Sequence, residues 1–376
     1  MAYINRISKF LPNNPISNDE MEDYIGLVHG IRSKARAVVL RNNGIKSRYY
    51  AMDKSGKSTH TNAQLTAEAV RALCDDDFKL EEIDLMACGT TSPDQLVPSH
   101  ASMVHGELGD RDREIASFTG SCCSGINALK YAYLAILSGD KKNAVATGSE
   151  KLSSWMKAER FDAEMDNLKL LDENPYLNFE KDFLRWMLSD GAGAILVQDK
   201  ANESRNALRI DWIDMDSFGN ELKTCMYSGA SKLENGDLLG WNDVPSKDVA
   251  NKTLFSLKQD VKILSENIVP YGNVFLRKII EKRKLEIDQI DYFLPHLSSI
   301  FFKDKIYQTL KDDGNEIPYE KWFINLEKVG NVGSGSAFLM LEELFNSNKL
   351  EKGQRILLMI PESARFSYAY LHLTVV

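Results

Sequence analysis

FTGSCCSGINAL, residues 118–129, links an apolar run to a helix-like run through a turn of small residues. Working outward from it, apolar runs typical of buried strands occupy residues 84–90, 114–119, 143–148 and 193–197. Helical periodicity covers residues 62–73 and 124–137. Because strand-like and helix-like runs alternate, the sequence predicts an α/β fold with a largely parallel sheet.

Short sequence motifs from the first part of the chain recur in the second part. KLEEIDL at residues 79–85 is echoed by KLEIDQID at 284–291, and each leads into an apolar run. SGDKK at 138–142 and LEKGQ at 350–354 also precede strand-like runs. We therefore expect two similar halves, residues 1–205 and 206–376. The alternative to a duplication is that these short acidic and apolar motifs are similar by chance.

Composition excludes several classes of protein. The net charge of −8 over 376 residues argues against nucleic-acid binding. No apolar run is long enough to span a bilayer, and the first residues lack the order of a signal peptide. Five cysteines, with no C-x-x-C pair, suggest neither a disulfide framework nor a zinc site. We expect a cytoplasmic protein with a free thiol and no metal or redox cofactor.

Two segments have the character of insertions, and one surface patch is basic. Residues 151–185 are charged, and residues 220–248 are rich in loop formers. Such segments line a substrate cavity or pack against a second subunit. The basic patch comprises Arg277, Lys278 and residues 282–284. It is either a solvated helix face or a dock for an acidic protein or a phosphate-bearing thioester.

Cys123 is the first candidate for chemistry. It lies on the turn between a strand and a helix, where the partial positive charge of the helix N-terminus favours a thiolate. Small neighbours allow a substrate to approach closely. This is the arrangement of a nucleophile elbow, with sulfur as the nucleophile. The alternative is that Cys122 and Cys123 are buried structural cysteines.

His296 and Asn331 are the other two candidates. His296 follows the apolar run of DYFLPHLSS, residues 291–299, and strand carboxyl ends carry the sites of α/β proteins. Asn331 lies on the glycine-rich turn VGNVGSGSA, residues 329–337, where its amide could donate to an anionic oxygen. The alternatives are a structural histidine and a simple helix-starting turn. Together with Cys123 they form a Cys-His-Asn set.

These motifs resemble those of ketosynthase III-type condensing enzymes of the thiolase superfamily. The family's nucleophile motif matches residues 123–126, and its Pro-His and Gly-Asn turns match 295–296 and 330–331. A further family motif is present as DGAGA at residues 190–194. The resemblance implies a five-layered αβαβα arrangement of two halves and a homodimer. It also implies acyl carrier protein or coenzyme A thioesters as substrates, with Cys123, His296 and Asn331 as catalytic residues.

Departures from the family pattern point to a narrower branch. The His loop continues as LSS at residues 297–299, and IPESARF at 360–366 replaces a glycine-rich turn. With LPNNP, NGIKSRYY and THTNAQL, at residues 11–15, 43–50 and 59–65, these features resemble ketosynthases of dialkylresorcinol and bacterial stilbene biosynthesis. That branch joins a β-ketoacyl thioester to an α,β-unsaturated acyl thioester. Michael addition and Claisen closure then give a 2,5-disubstituted cyclohexane-1,3-dione.

Two further residues are candidates because cyclisation needs extra proton transfers. Glu150 follows a strand-like run and could act as an acid or base, or simply sit at a helix start. Arg365 in the altered turn could assist it, or be an ordinary surface or interface arginine. Three rival functions are a priming β-ketoacyl synthase III, a Cys-His-Asn hydrolase and a catalytically silent partner subunit. The priming synthase would use acyl-coenzyme A and a malonyl carrier-protein thioester.

Overall fold

The computed structural model describes residues 1–33, 36–161, 184–249 and 254–376. Its strands are β1 (Tyr3–Phe10), β2 (Ile16–Ser17), β3 (Ser47–Arg48), β4 (Leu85–Thr90), β5 (Glu114–Thr119), β6 (Asn143–Glu150), β7 (Gly191–Gln198), β8 (Leu208–Ser217), β9 (Met226–Tyr227), β10 (Ala230–Lys232), β11 (Leu238–Gly240), β12 (Lys258–Gln259), β13 (Tyr292–Pro295), β14 (Arg355–Glu362) and β15 (Ser367–Val375). Its α-helices are α1 (Met21–Ile25), α2 (Arg36–Asn43), α3 (Asn62–Arg71), α4 (His100–Leu108), α5 (Ser124–Leu137), α6 (Ser246–Val249), α7 (Val261–Arg283), α8 (Phe301–Asp312), α9 (Leu326–Val329) and α10 (Ser336–Phe345).

Nine strands form one mixed sheet in the order β13-β14-β15-β8-β1-β7-β6-β4-β5. Three neighbouring pairs are parallel, namely β13 with β14, and β4 with both β5 and β6. The other five pairs are antiparallel. The expectation of a largely parallel sheet was therefore wrong. One reason is that β15 follows β14 through a short turn, which joins antiparallel strands but cannot make a parallel crossover.

The sheet has two parts that meet where β1 pairs with β8. The first part runs β5-β4-β6-β7-β1 and the second runs β13-β14-β15-β8. In each part a parallel pair (β4 with β6, β13 with β14) continues into antiparallel neighbours. The repeated sequence words precede β4 and β13, and β6 and β14. This correspondence supports the proposed division near residue 205.

Helices and sheet alternate in layers, and each strand of the nine-stranded sheet contributes to two hydrophobic cores. In β14, Leu357 and Met359 pack into the core beside α7 and α8, whereas Leu358 and Ile360 pack into the core with α5 and α10. A third core lies between the first part of the sheet and the helices α3 and α4. Because side chains alternate along a strand, both faces of the sheet are covered by helices. The central layer, α5 and α10, is the one that positions the site.

Every predicted element is present, with each end within two residues of the predicted one. β5 and α5 match the predicted ranges, and β6 extends two residues further than predicted, so that Glu150 ends the strand. All five cysteines are free thiols. Over the described ranges, no helix has the length and apolar character needed to cross a membrane.

Candidate active site

Cys123 lies at the N-terminus of α5, on a tight turn after β5. Ser124 closes the turn, since its backbone N–H and its hydroxyl donate to the carbonyl of Ser121 at 2.9 and 2.8 Å. Behind the turn, a Cβ placed on Gly125 would lie 2.5 Å from the carbonyl oxygen of Ser334. Glycine is therefore required there, and it brings the cysteine turn against the turn that carries Asn331.

The Cys123 thiol is enclosed, with 1% of the residue exposed. Its Sγ lies 3.4 Å from the carbonyl oxygen of Ile360 on β14. Burial, and then the nearby carboxylate of Glu362, raise the pKa of this thiol well above its ordinary value. The expectation that the helix N-terminus lowers this pKa was wrong, because burial of the thiol first, and the Glu362 carboxylate second, raise it. The resting nucleophile is a neutral thiol.

His296 follows β13, as the sequence indicated. Its backbone N–H donates to the carbonyl of Met359 at 2.8 Å, which fixes the loop against β14. The residue is 3% exposed, and burial lowers the pKa of its imidazole to about 4. The ring is therefore neutral near pH 7 and can donate one N–H without carrying charge.

Asn331 has its amide oriented by its own turn. Its Oδ1 accepts from the backbone N–H of Gly333 at 2.9 Å. Because the oxygen is fixed in this way, the Nδ2 group remains as a donor for another partner. The backbone of Asn331 is held on both sides, since its N–H donates to Met187 and its carbonyl accepts from Ser189, each at 2.9 Å.

Glu150, at the end of β6, lies beneath the Asn331 turn. Its carboxylate accepts from the backbone N–H of Thr91, Ser92 and Ser334, at 3.0 to 3.1 Å, and from the hydroxyls of Thr91 and Ser92 at 2.6 Å. A Cβ on Gly333, whose φ is +48°, would lie 2.8 Å from Oε1 of Glu150. Burial raises the pKa of this carboxyl, and these hydrogen bonds oppose the rise. The geometry is that of a positioning residue; a proton-transfer role stays a prediction.

A cavity joins these elements between the sheet and the helices α7 and α8. Its volume is about 70 Å³. Cys122, His296 and Asn331 line it, and the thiol of Cys123 is directed at Ile360, between the lining residues Met359 and Pro361. Apolar side chains form most of its wall: Leu152, Leu184, Met187, Leu188, Met226, Leu257, Leu264, Ile268, Val269, Phe302, Ile306 and Leu310.

Both predicted insertions contribute to this wall. Leu152 and Leu184 belong to the first, and Met226 belongs to the second. Residues 162–183 of the first insertion lie outside the described residues. The prediction that these insertions line a substrate cavity is therefore met by the described ends of the first insertion and by part of the second.

Arg365 and the basic patch lie apart from these groups. Arg365 is exposed, and its side chain lies near Gly219. An ordinary surface arginine was the alternative to a catalytic role for Arg365, and its exposure agrees with that alternative. In the patch, Arg277 pairs with Asp313, Lys278 with Asp216, and Lys282 and Arg283 with Asp214. Neutralisation by these carboxylates favours the solvated helix face over a dock.

Sequence reasoning missed Glu362. Its carboxylate is a neighbour of both cysteines and affects the pKa of each. The signal was present in IPESARF, where an acidic residue stands in a turn that is glycine-rich in the resembled family. Nothing in the local pattern indicated that this turn approaches Cys123.

Two family models match the chain. The model of the 3-oxoacyl-[acyl-carrier-protein] synthase III C terminal matches residues 280–360, which include His296 and Asn331. The model of the beta-ketoacyl synthase N-terminal domain matches residues 114–203, which include Cys123 and Glu150. The chain is a ketosynthase III-like condensing enzyme. It is an acyltransferase that forms carbon–carbon bonds.

Known relatives match this condensing enzyme along nearly its whole length. Beta-ketoacyl-[acyl-carrier-protein] synthase III of Clostridium perfringens (strain SM101 / Type A) is 26% identical over 355 residues, covering 93% of this chain and 92% of the relative. The protein of the same name from Aquifex aeolicus is 24% identical, with 93% and 92% covered. The similarity to ketosynthase III therefore extends over both the N-terminal and the C-terminal part of the chain.

Solved structures show the same fold. The AbyA1 tetronic acid condensing enzyme superposes with a TM-score of 0.76 at 21% identity, covering 100% of both chains. Xanthomonas campestris OleA with bound lauric acid and lauroyl-CoA gives 0.75 at 18% identity, covering 99% and 98%. The Aquifex aeolicus synthase gives 0.69 at 21%, covering 100% of both. The predicted thiolase-like fold is confirmed.

Proposed function

We propose that this enzyme is a β-ketoacyl synthase III that transfers an acyl group from coenzyme A to Cys123 and extends it with a malonyl carrier-protein thioester. The observation that carries the proposal is the cavity, whose wall brings the Cys123 turn together with His296 and Asn331. The names of the relatives support it over the ring-forming alternative. A hydrolase or a silent subunit is less well supported, because the family models cover both the nucleophile and its partners.

The first half-reaction loads the nucleophile. Sγ of Cys123 attacks the thioester carbonyl, the carbon–sulfur bond to coenzyme A breaks, and the thiol proton ends on the departing thiol. The apolar cavity wall receives the acyl chain, because burying methylene groups is favourable by about 0.8 kcal/mol each.

In the second half-reaction, His296 and Asn331 act as donors. Neutral His296 and the Nδ2 group of Asn331 hydrogen-bond the carbonyl oxygen of the malonyl thioester. They stabilise the enolate that forms as carbon dioxide leaves. The enolate carbon attacks the acyl carbon on Cys123, the carbon–sulfur bond to Cys123 breaks, and the released thiolate takes a proton from solvent. The product is a β-ketoacyl thioester on the carrier.

Asn331→Asp tests the donor role. The substitution keeps the size of the side chain but replaces the NH₂ donor with an acceptor, which carries charge when ionised. We expect the condensation kcat to fall about 10²- to 10³-fold, the effect of losing one oxyanion donor. Loading of Cys123, measured by release of coenzyme A, should change much less, because that step does not use this donor. Equal loss in both steps would contradict the assignment.

A ring-forming condensation is the second candidate function. The largely apolar wall of the cavity is compatible with it, since the wall can receive an unsaturated or aromatic acyl chain. The altered turn at residues 360–366 also distinguishes this chain from the family pattern. In this reaction a β-ketoacyl thioester adds to an α,β-unsaturated acyl thioester, and Claisen closure releases a cyclohexane-1,3-dione.

Product analysis separates the two candidates. The enzyme is mixed in one reaction with an acyl-coenzyme A and a malonyl carrier-protein thioester. In a parallel reaction it receives a β-ketoacyl and a cinnamoyl-type unsaturated thioester. A β-ketoacyl carrier in the first reaction, with no ring in the second, supports the priming synthase. A cyclic dione in the second, absent with Cys123→Ala, would replace it with the ring-forming enzyme.

We further propose that the enzyme is a homodimer and works in the cytoplasm. β5 is an edge strand of the nine-stranded sheet, and edge strands pair readily with another chain. Beside it, Tyr131 of α5 contacts Phe118 and is 37% exposed, and Leu134, one helical turn further on, is 50% exposed. Free thiols suit a reducing compartment.

The homodimer is tested by measuring mass in solution. Light scattering after size exclusion should give twice the chain mass of 42.4 kDa. Leu134→Glu should weaken association at least tenfold, because it places a charge in the apolar contact. Leu238→Glu, at an exposed leucine on the β10–β11 hairpin, is the matched control. A wild-type protein that remains monomeric at micromolar concentration would contradict the proposal.

A further inference from the structure

The cavity has a polar end that lies away from His296. Helix α8 begins shortly after His296, with Phe302 in its first turn and Leu310 in its last, and both residues line the cavity. The cavity therefore follows this helix for about 12 Å. Asn273 of α7 also lines it, and the Nδ2 group of Asn273 donates at 2.6 Å to Asp313, the residue that follows α8. Asn273 thus lies at the end of the cavity remote from the catalytic groups.

The amide oxygen of Asn273 is buried without a partner. The residue is 8% exposed, its Oδ1 is enclosed by protein, and no donor among the described residues lies within hydrogen-bond distance of it. A buried acceptor without a partner costs about 1–3 kcal/mol, so such a group in a folded protein calls for an explanation. The open space that this side chain borders is the cavity.

The orientation of the Asn273 amide is fixed by Asp313. Arg277 donates to both carboxylate oxygens of Asp313, at 2.5 and 2.7 Å, and Asn273 donates to one of them. These hydrogen bonds lower the pKa of the Asp313 carboxyl, so it is ionised near pH 7 and can only accept. Exchanging the two ends of the amide would place its oxygen against this carboxylate, so Oδ1 is held on the other side.

Gln259, elsewhere in the cavity wall, shows the contrast. Its Oε1 is also buried without a partner among the described residues, while its Nε2 contacts the hydroxyl of Ser363 at 2.9 Å. Because a hydroxyl both donates and accepts, this contact does not fix which end of the Gln259 amide is the oxygen. Asn273 is therefore the residue whose open acceptor is set by its surroundings.

The surroundings of Asn273 select a neutral donor. The hydroxyl of Thr309 donates to the carbonyl of Lys305 at 2.8 Å, so its oxygen can only accept from a ligand. The carboxylate of Asp313 is already paired with Arg277, so an ammonium group would be buried there without a counter-ion, which is costly. A hydroxyl needs only an acceptor. The rest of this end is apolar, with Val269, Ile306 and Leu310.

We propose that Asn273 is a specificity-determining residue: its Oδ1 accepts a hydrogen bond from a hydroxyl at the far end of the acyl group that Cys123 receives. The substrate is then a hydroxylated acyl thioester, with the hydroxyl on an aliphatic chain or on an aromatic ring. This inference rests on the acyl transfer to Cys123 proposed above. The transfer itself is unchanged, because no covalent bond to the distant hydroxyl forms or breaks.

Binding without reaction tests the specificity separately from catalysis. Cys123→Ala cannot take up an acyl group, so calorimetry on this variant measures binding of coenzyme A thioesters alone. The thioesters are compared in pairs, in which one member carries a terminal hydroxyl and the other a methyl group in its place. One series of pairs is aliphatic, and the other ends in a phenyl ring. In at least one series we expect the hydroxyl member to bind at least about tenfold more tightly, because an apolar end without an acceptor would favour the methyl member.

Asn273→Leu removes the acceptor and keeps the shape of the side chain. Added to Cys123→Ala, it should reverse the preference, so that the methyl member binds more tightly. Asn267→Leu is the matched control, because Asn267 lies on the same helix, donates to the carbonyl of Ile263 and is not among the described residues that line the cavity. It should leave the preference for the hydroxyl member unchanged.

Two results would overturn the proposal. One is a methyl member that binds as tightly as its hydroxyl partner in every pair, which needs no change at Asn273 and so does not depend on whether Asn273→Leu folds. The other is a folded Asn273→Leu that still prefers the hydroxyl member. If the hydroxyl members bind preferentially but the wild-type enzyme releases no coenzyme A from them, Asn273 stands as the selecting residue and the proposed function fails.

Discussion

Replacing Cys123 with alanine is expected to abolish carbon–carbon bond formation, lowering the rate of product release by at least about 10⁴-fold. Loss of a covalent nucleophile has effects of this size, because the remaining groups bind substrate but cannot carry the acyl intermediate. Product formed from acyl-coenzyme A and malonyl carrier protein is the measurement. The fold should be unaffected, since alanine removes one buried sulfur at the start of a helix that is otherwise well packed.

Cys122→Ala is the matched control. Cys122 is the adjacent residue, is also buried and lines the cavity, and its pKa is raised to about 12 by burial first and Glu362 second. It should keep activity within about tenfold of the wild type, because a neutral thiol in a cavity wall contributes packing alone. If Cys122→Ala were inactive and Cys123→Ala active, the nucleophile would have been assigned to the wrong cysteine.

Replacing Glu150 with alanine is expected to lower the free energy of unfolding by about 4 kcal/mol. The substitution leaves the backbone N–H groups of Thr91, Ser92 and Ser334 buried without their acceptor. Each unsatisfied donor costs about 1–3 kcal/mol. Urea unfolding followed by circular dichroism gives the change directly. Glu342→Ala, which removes a carboxylate paired with Lys9, should cost about 1 kcal/mol.

Glu150→Gln separates positioning from proton transfer. The amide keeps the size of the side chain and one acceptor oxygen, so the free energy of unfolding should lie closer to that of the wild type than in Glu150→Ala. If Glu150 acts by positioning the Asn331 turn, the variant should keep the same products, with condensation more affected than loading of Cys123. A folded variant that loads Cys123 normally but makes no product at any pH would instead support the acid–base role.

Local sequence patterns predicted the elements around the site well. β5 and α5 were predicted to the residue, because a strand-like run and a helical run meet at a glycine turn with little ambiguity, although β5 is an edge strand with no buried residue. The positions of His296 and Asn331 followed from the same rule, since each comes directly after an apolar run. The directions of the strands in the sheet were harder to predict, because whether neighbouring strands run parallel depends on the length of their connections.

The electrostatics of the site could not be predicted from local patterns. The helix N-terminus at Cys123 indicated a lowered pKa, but burial of the thiol first, and Glu362 from the far end of the chain second, raise it. Glu150 was expected beyond a strand, yet it ends β6, and its partners come from the loop after β4 and from the Asn331 turn. In both cases the deciding contacts join residues that are distant in sequence and meet only once the layers have packed.

Intact-protein mass analysis after mixing the enzyme with an acyl-coenzyme A tests the central claim most directly. The account predicts a mass increase of one acyl group, located on Cys123 by peptide fragmentation and absent in Cys123→Ala. Addition of a malonyl carrier thioester should then remove the acyl group and yield a longer chain. An unmodified Cys123, or an acyl group carried on Cys122 or another residue, would contradict the account.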